Sequence, residues 1–304
     1  MAKPLRNVGA SVRARLLMIS RTRNQTFDLV LTRYVLERIL YRLTQTPHRE
    51  RFALKGALLV TTWFTDPHRP TRDVDFLGFG DADPDAVLAV FRDVCAVPMD
   101  DGVVIDLRTL RIDRIRDEQE YGGLRLRTVT SVGGALVTVK IDIGFGDSVT
   151  PGLEEIDLPV LLDFPAPRLR AYAPETVIAE KFQTMVRLGR ANSRMKDFYD
   201  VWVLSRTYHF DGPRLPAAIA ATFDRRNTAL PVELPDALTP EFADDPAKRA
   251  QWRAFIADLM SQPGDLATVV SDLATFLMPH AGRARTAIRG PEEPPVARGE
   301  RLLR

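Results

Sequence analysis

Asp73 and Asp75 stand one residue apart in Thr71-Arg72-Asp73-Val74-Asp75-Phe76, and Asp142 stands alone in Lys140-Ile141-Asp142-Ile143. Residues i and i+2 of a strand share a face, so the spacing sets the first two carboxylates side by side. Carboxylates so placed repel one another unless a cation lies between them. Oxygen-only ligands suit a hard ion such as Mg2+, which is normally shared with substrate phosphates. Val74, Phe76, Ile141 and Ile143 flank the acids with apolar residues, the pattern of carboxylates carried on core strands. Upstream, Phe52-Ala53-Leu54 reads as a short buried strand, and Lys55-Gly56 opens an apolar, helix-like segment from Ala57 to Phe64. A glycine at a helix start leaves backbone N–H groups open to phosphate. A glycine-led turn, an Asp-x-Asp strand and a distant single Asp are the skeleton of a nucleotidyl-transfer site.

A second constellation lies downstream, in Ala179-Glu180-Lys181-Phe182 and Arg194-Met195-Lys196-Asp197-Phe198-Tyr199-Asp200. Between residues 180 and 196 five basic residues (Lys181, Arg187, Arg190, Arg194, Lys196) face one acid, Glu180. Asp197 and Asp200 share a helix face at i, i+3, and Lys196 can reach Asp200 at i, i+4. Taken alone, this reads as a charged helix pair exposed to water.

Two kinds of segment must position these groups. Residues 8–46 read as helical: Val12, Leu16, Ile19, Phe27, Val30, Leu31, Tyr34, Val35, Ile39, Leu40 and Leu43 recur at helical spacing. Arg13, Arg15, Arg33, Arg38 and Arg42 are expected on the other, solvent face. Residues 52–147 read as α/β, with strands at 52–54, 74–79, 103–112, 124–130 and 136–145 and a helix at 83–96. Tyr121-Gly122-Gly123 and Gly133-Gly134 are turn signals, so the last three strands form an antiparallel meander. Gly-Phe-Gly-Asp occurs at 78–81 and again at 144–147, and is read as loops leaving neighbouring strands. Pro151, Gly152, Pro159, Pro165 and Pro167 then mark a crossing into a helical domain, with helices at 174–188, 195–207, 215–225, 246–259 and 266–278. The expected domains are 1–165 and 166–281, followed by a tail, 282–304, whose composition predicts disorder.

Composition narrows the function. The chain has 304 residues and a formal net charge of +2, so no global polycation argument for nucleic acid is available. Cys95 is the single cysteine, which excludes an intramolecular disulfide, fits a reducing compartment and reads as a helix core residue. His48, His68, His209 and His280 lack zinc-ligand spacing. No apolar run approaches the roughly 20 residues of a membrane span. The basic N-terminus lacks the apolar region of a signal peptide. The expected location is cytoplasmic, with no membrane partner.

Gly56, the Asp73-Val74-Asp75 strand, Lys140 to Asp147, Glu180-Lys181 and Lys196 to Asp200 occur in one order. In this the chain resembles the AbiEii/AbiGii toxin family of nucleotidyltransferases, found in type IV toxin–antitoxin and phage-defence systems. The resemblance covers roughly residues 25–235. It implies an α/β (α+β) fold, with a polymerase-β-like nucleotidyltransferase core and a mostly helical second domain. It implies Mg2+-dependent transfer of a nucleotide from an NTP to the 3′ end of tRNA, blocking translation, and an antitoxin partner. A small-molecule acceptor, a protein side-chain acceptor and a non-catalytic RNA- or partner-binding module are the alternatives.

By position, the resemblance implies that Asp73, Asp75 and Asp142 hold the metal, and that Lys181 and Asp200 complete the catalytic set. Lys55, Gly56, Arg72, Lys181 and Lys196 would contact the nucleotide. Arg187, Arg190 and Arg194 would contact RNA phosphates, together with Arg33 and Arg38 of the first helices. Thr71 falls where some members are phosphorylated. Ala57 stands where the family usually has serine or glycine, which removes a hydroxyl from the phosphate site.

Overall fold

A computed structural model of the protein describes residues 7–64, 71–115, 122–257, 259 and 263–289. The chain divides into two compact units: Met1–Val177 with Ile256–Gln262, and Ile178–Phe255 with Pro263–Arg304.

In the first unit the helical N-terminus is two helices, α1 (Val8–Thr22) and α2 (Phe27–Thr44). The break falls at Asn24, whose φ of 50° lies in the left-handed region that Asn tolerates. Strand β1 (Phe52–Lys55) leads directly into the short helix α3 (Gly56–Val60) and a 3-10 turn over Thr61–Trp63. Strand β2 (Val74–Gly78) is next, then α4 (Pro84–Ala96), whose N-cap Asp83 accepts from the backbone N–H groups of Asp85 and Ala86. The meander is β3 (Val103–Ile115), β4 (Gly123–Val132) and β5 (Ala135–Phe145). Cys95 is buried in α4, and burial pushes its thiol pKa up to about 12, as a core cysteine requires.

The Pro/Gly-rich stretch is not a structureless crossing. It carries β6 (Leu153–Asp157) and β7 (Arg168–Tyr172), which extend one seven-stranded sheet ordered β3-β4-β5-β2-β1-β7-β6. Both strands are short and charged, as in Leu153-Glu154-Glu155-Ile156-Asp157, and so lack the apolar run that marks a buried strand. β6 lies at the sheet edge and pairs with β7 alone, through ion pairs such as Arg168–Glu155 at 2.9 Å. β2 and β5 run parallel, whereas β1–β2, β4–β5 and β3–β4 are antiparallel. One face is a dry core: Leu54, Val74, Phe76, Leu124, Leu126, Ile141 and Ile143 are buried, and Phe52 packs against Phe76 and Phe91 at 5.4 and 5.2 Å.

The arginines of α2 correct the expected solvent face. Arg38 and Arg42 are buried. Arg42 forks onto both oxygens of Asp101 at 2.7 and 3.0 Å. Arg38 donates twice to the Pro165 carbonyl and lies over the Tyr41 and Phe164 rings. Arg33 is bound to Glu37, Thr61 and the Pro159 carbonyl. The long aliphatic stems bury readily, and each charged head finds its acceptors inside. Arg38 is therefore not an RNA contact, and Arg33 is committed within the unit.

In the second unit, α5 (Pro174–Leu188, beginning in the first unit), α6 (Met195–Thr207), α7 (Arg214–Arg225), α8 (Pro240–Asp244), α9 (Pro246–Ile256) and α10 (Leu266–Arg289) form a helical assembly. Phe182 meets Phe223 at 5.3 Å, and Phe198 stacks on Phe242 at 5.4 Å. Residues 282–289, expected in a disordered tail, continue α10; Pro279 lies within this helix. His68, Tyr121 and the tail from residue 290 lie outside the described residues.

Candidate active site

Register places the candidate residues. Asp75 pairs with Lys55 on one side and with Asp142 on the other, and Asp142 pairs in turn with Arg125. Paired residues face the same way, so Lys55, Asp75, Asp142 and Arg125 form one row across β1, β2, β5 and β4. The neighbours of each on its strand point to the dry face, which is why the row itself remains half-exposed. Neighbouring strands lie about 4.8 Å apart, so the middle of the row is two adjacent carboxylates.

Cations from other strands meet the acids. Asp73, just before β2, receives Lys140 Nζ at 2.6 Å. Asp142 receives a two-bond fork, Arg125 Nε to Oδ1 and Nη2 to Oδ2, both 2.7 Å. Lys55 Nζ reaches Asp147 Oδ2 at 2.6 Å and lies 5.4 Å from the Tyr172 ring centre. Asp147 ends the second Gly-Phe-Gly-Asp stretch. Both stretches leave the parallel neighbours β2 and β5, with Gly80 and Gly146 at φ +85° and +78°. The same turn at adjacent strand ends accounts for the sequence repeat.

Gly56 is fixed by two constraints. Its φ is +72°, and a Cβ there would stand 2.0 Å from Asp75 Oδ2. The carboxylate thus lies directly on the glycine backbone, which only a residue without Cβ permits. Arg72, expected at the nucleotide, pairs with Asp28 at 2.8 Å, and both side chains are well exposed. The Thr71 hydroxyl lies 3.4 Å from the Asp73 carbonyl.

Three carboxylates on one sheet face have the donor chemistry of a hard divalent cation. Among the described residues, however, no three His, Cys, Asp or Glu side chains are gathered so as to hold a metal ion. Arg125 and Lys140 engage two of the three acids. The donors are of the oxygen type that Mg2+ takes, and each carboxylate keeps lone pairs beyond those its cation uses.

The second constellation is built in the helical unit. Lys181 Nζ on α5 lies 2.6 Å from Asp197 Oδ1 and 2.9 Å from Asp200 Oδ2, both on α6. Arg194, the N-cap of α6, holds Asp197 Oδ2 at 2.6 Å. Both aspartates are 1% exposed, so this is not a helix pair with its charges in water. Burial alone would raise the Asp197 pKa, but the Lys181 and Arg194 charges and hydrogen bonds outweigh it and hold the carboxyl below its ordinary range. Arg187, Arg190 and Lys196 are exposed.

Arg125, Lys140, Asp147 and Asp197 are not among the residues that the sequence assigns to the site. The alternation Leu124-Arg125-Leu126-Arg127 does signal that both arginines face away from the core. It carries no information on which strand lies beside them.

The profile of one family, described as "Nucleotidyl transferase AbiEii toxin, Type IV TA system", matches residues 38–278. No curated protein matches the chain. Among solved structures, a Helicobacter pylori protein provisionally assigned as a nucleotidyltransferase aligns with TM-score 0.50 and 16% identity, over 86% of this chain and 97% of its own. JHP933 from Helicobacter pylori aligns with TM-score 0.49 and 17% identity, over 87% and 97%. At 16% identity the first of these likenesses is one of fold alone. Among the described residues no helix is long and apolar enough to cross a membrane.

Proposed function

Because the chain belongs to the AbiEii family of nucleotidyltransferase toxins of type IV toxin–antitoxin systems, we propose that it transfers a nucleoside monophosphate from an NTP to the 3′ end of tRNA and so blocks translation. The observation that carries this reading is the pairing of Asp75 with Asp142 on parallel strands, with Asp73 two residues before Asp75. Asp73, Asp75 and Asp142 would hold Mg2+, which when bound supplies positive charge against the triphosphate.

The chain's own residues do the rest. The acceptor hydroxyl oxygen forms a bond to the α-phosphorus, the bond from that phosphorus to the bridging oxygen breaks, and pyrophosphate leaves. Asp142 takes the hydroxyl proton; a carboxylate has lone pairs beyond the two that Arg125 uses. Gly56 gives the nucleotide a surface without a side chain beside Asp75, and Lys55 adds positive charge there. On the helical unit by itself, Lys181, oriented by Asp200, and Lys196 are the candidate phosphate contacts. Arg187, Arg190 and Arg194 contact tRNA phosphates. Thr71 is a candidate phosphorylation site for an antitoxin, and the protein works in the cytoplasm.

The test is incubation with Mg2+, total tRNA and each labelled NTP in turn. Label from one NTP should appear at the tRNA 3′ end and vanish with Asp75→Ala. Label appearing instead on protein or on a small acceptor overturns the tRNA assignment. No label on any acceptor overturns the enzymatic one.

A further inference from the structure

Arg125 belongs to no motif singled out in the sequence, yet it forks onto both oxygens of one of the three acids. Both Asp142 oxygens accept from it at 2.7 Å, and the two side chains are only 30% and 21% exposed. A planar guanidinium fork on a carboxylate fixes the plane of both oxygens and adds a full positive charge beside them. Asp142 is also the acid adjacent to Asp75. A divalent cation shared by these two carboxylates must therefore settle beside the Arg125 charge.

We infer that Arg125 is a positioning residue with two separable effects. Its fork holds Asp142 in the plane needed for transfer, and its charge sets how tightly the carboxylate face draws a divalent cation before nucleotide arrives. Lys140 on Asp73 is the lesser counterpart, a single contact between more exposed groups. Arg125 has this role only if the face takes a divalent cation, as proposed above. The physical reason for such a residue is plain. Without a counter-charge, adjacent carboxylates either repel each other or bind a stray cation. With one, capture is weak until the triphosphate brings further oxygen ligands.

Charge and shape can be separated by two substitutions. Arg125→Gln removes the charge, and Arg125→Lys keeps the charge but loses the fork. Arg127→Gln is the control, since Arg127 lies on the same strand and face but pairs with Asp113 at 2.9 Å. Mn2+ binding without nucleotide is measured by calorimetry, and nucleotide transfer is measured separately, with thermal melts of every variant.

Arg125→Gln should bind Mn2+ about tenfold more tightly, because it removes a positive charge that repels the cation at close range. Arg125→Lys should bind it like wild type. Both should lose about tenfold in kcat with KM for NTP little changed. The control should change neither. Equal Mn2+ affinity in wild type and Arg125→Gln, with Asp75→Ala abolishing binding in both, would overturn this inference and leave the site reading standing. Weaker binding in Arg125→Gln would make Arg125 a mere support for Asp142 and would overturn it too. Should Arg125→Gln fail to fold, Arg125→Lys decides: unchanged kcat with a normal melt discards the fork. Wild-type protein that neither binds Mn2+ nor transfers nucleotide would overturn both readings.

Discussion

The two acidic clusters use the same residue types to opposite ends. On the sheet, Asp73 and Asp142 are 41% and 21% exposed, and each is met by cations from one other strand. On α6, Asp197 and Asp200 are 1% exposed and enclose one lysine between them. A pair as exposed as Lys140–Asp73 exchanges partners cheaply, because water replaces what is lost. A buried one is locked, since removing either partner strands a charge. The difference indicates where the protein can accept a ligand and where it holds a side chain in a fixed position.

Breaking the locked cluster should have the largest effect. Asp197→Ala should cost about 3–5 kcal/mol in urea unfolding, whereas Asp73→Ala should cost about 1 kcal/mol or less. Similar losses in both would erase the distinction. Activity should invert the order. Asp73→Ala or Asp75→Ala should lower transfer by more than about hundredfold, through lost charge stabilisation in the transition state, while circular dichroism stays that of the folded protein. A variant that melts normally and still labels its acceptor would remove the carboxylates from the chemistry.

Gly56→Ala sharpens the comparison from the backbone side. Strain at positive φ costs about 1–3 kcal/mol, and the new Cβ would lie 2.0 Å from Asp75 Oδ2. Stability and transfer should therefore fall together, unlike in Asp73→Ala. Loss of neither would mean that the carboxylate moves freely.

Acidification tests the locked cluster further. The Asp197 pKa is held below its ordinary 3.8 in the folded state. Its contribution to stability is thus fully present above that value and is lost as pH falls through the folded pKa. Wild type should lose stability below about pH 4 more steeply than Asp197→Asn; parallel curves would contradict the depressed pKa. The smallest effect concerns the exposed arginines of the helical unit. Arg187→Ala with Arg190→Ala should flatten the salt dependence of tRNA binding by about one to two units, at roughly 0.7 to 0.9 per phosphate contact. Parallel salt lines would exclude both arginines from the RNA contact.

Sequence alone carried the local periodicities and the faces they define. The i, i+2 spacing of Asp73 and Asp75 places them on one strand face. The helical period within residues 8–46 and the strand runs at 124–130 and 136–145 mark α2, β4 and β5. The ordered motifs led to the family. These signals lie within a few residues of one another, the range over which backbone geometry repeats. Pairings across the chain left no such trace: Arg125 meets Asp142 17 residues on, Lys181 meets Asp197 16 on, and Lys55 meets Asp147 92 on. The polar strands β6 and β7 likewise depend on partners supplied by the sheet. Arg38 and Arg42 read as solvent-facing by charge, yet Pro165 and Asp101 draw them inside. Charge reports what a side chain carries, whereas strand register and helix packing decide which opposite charge it meets and how much water remains between them.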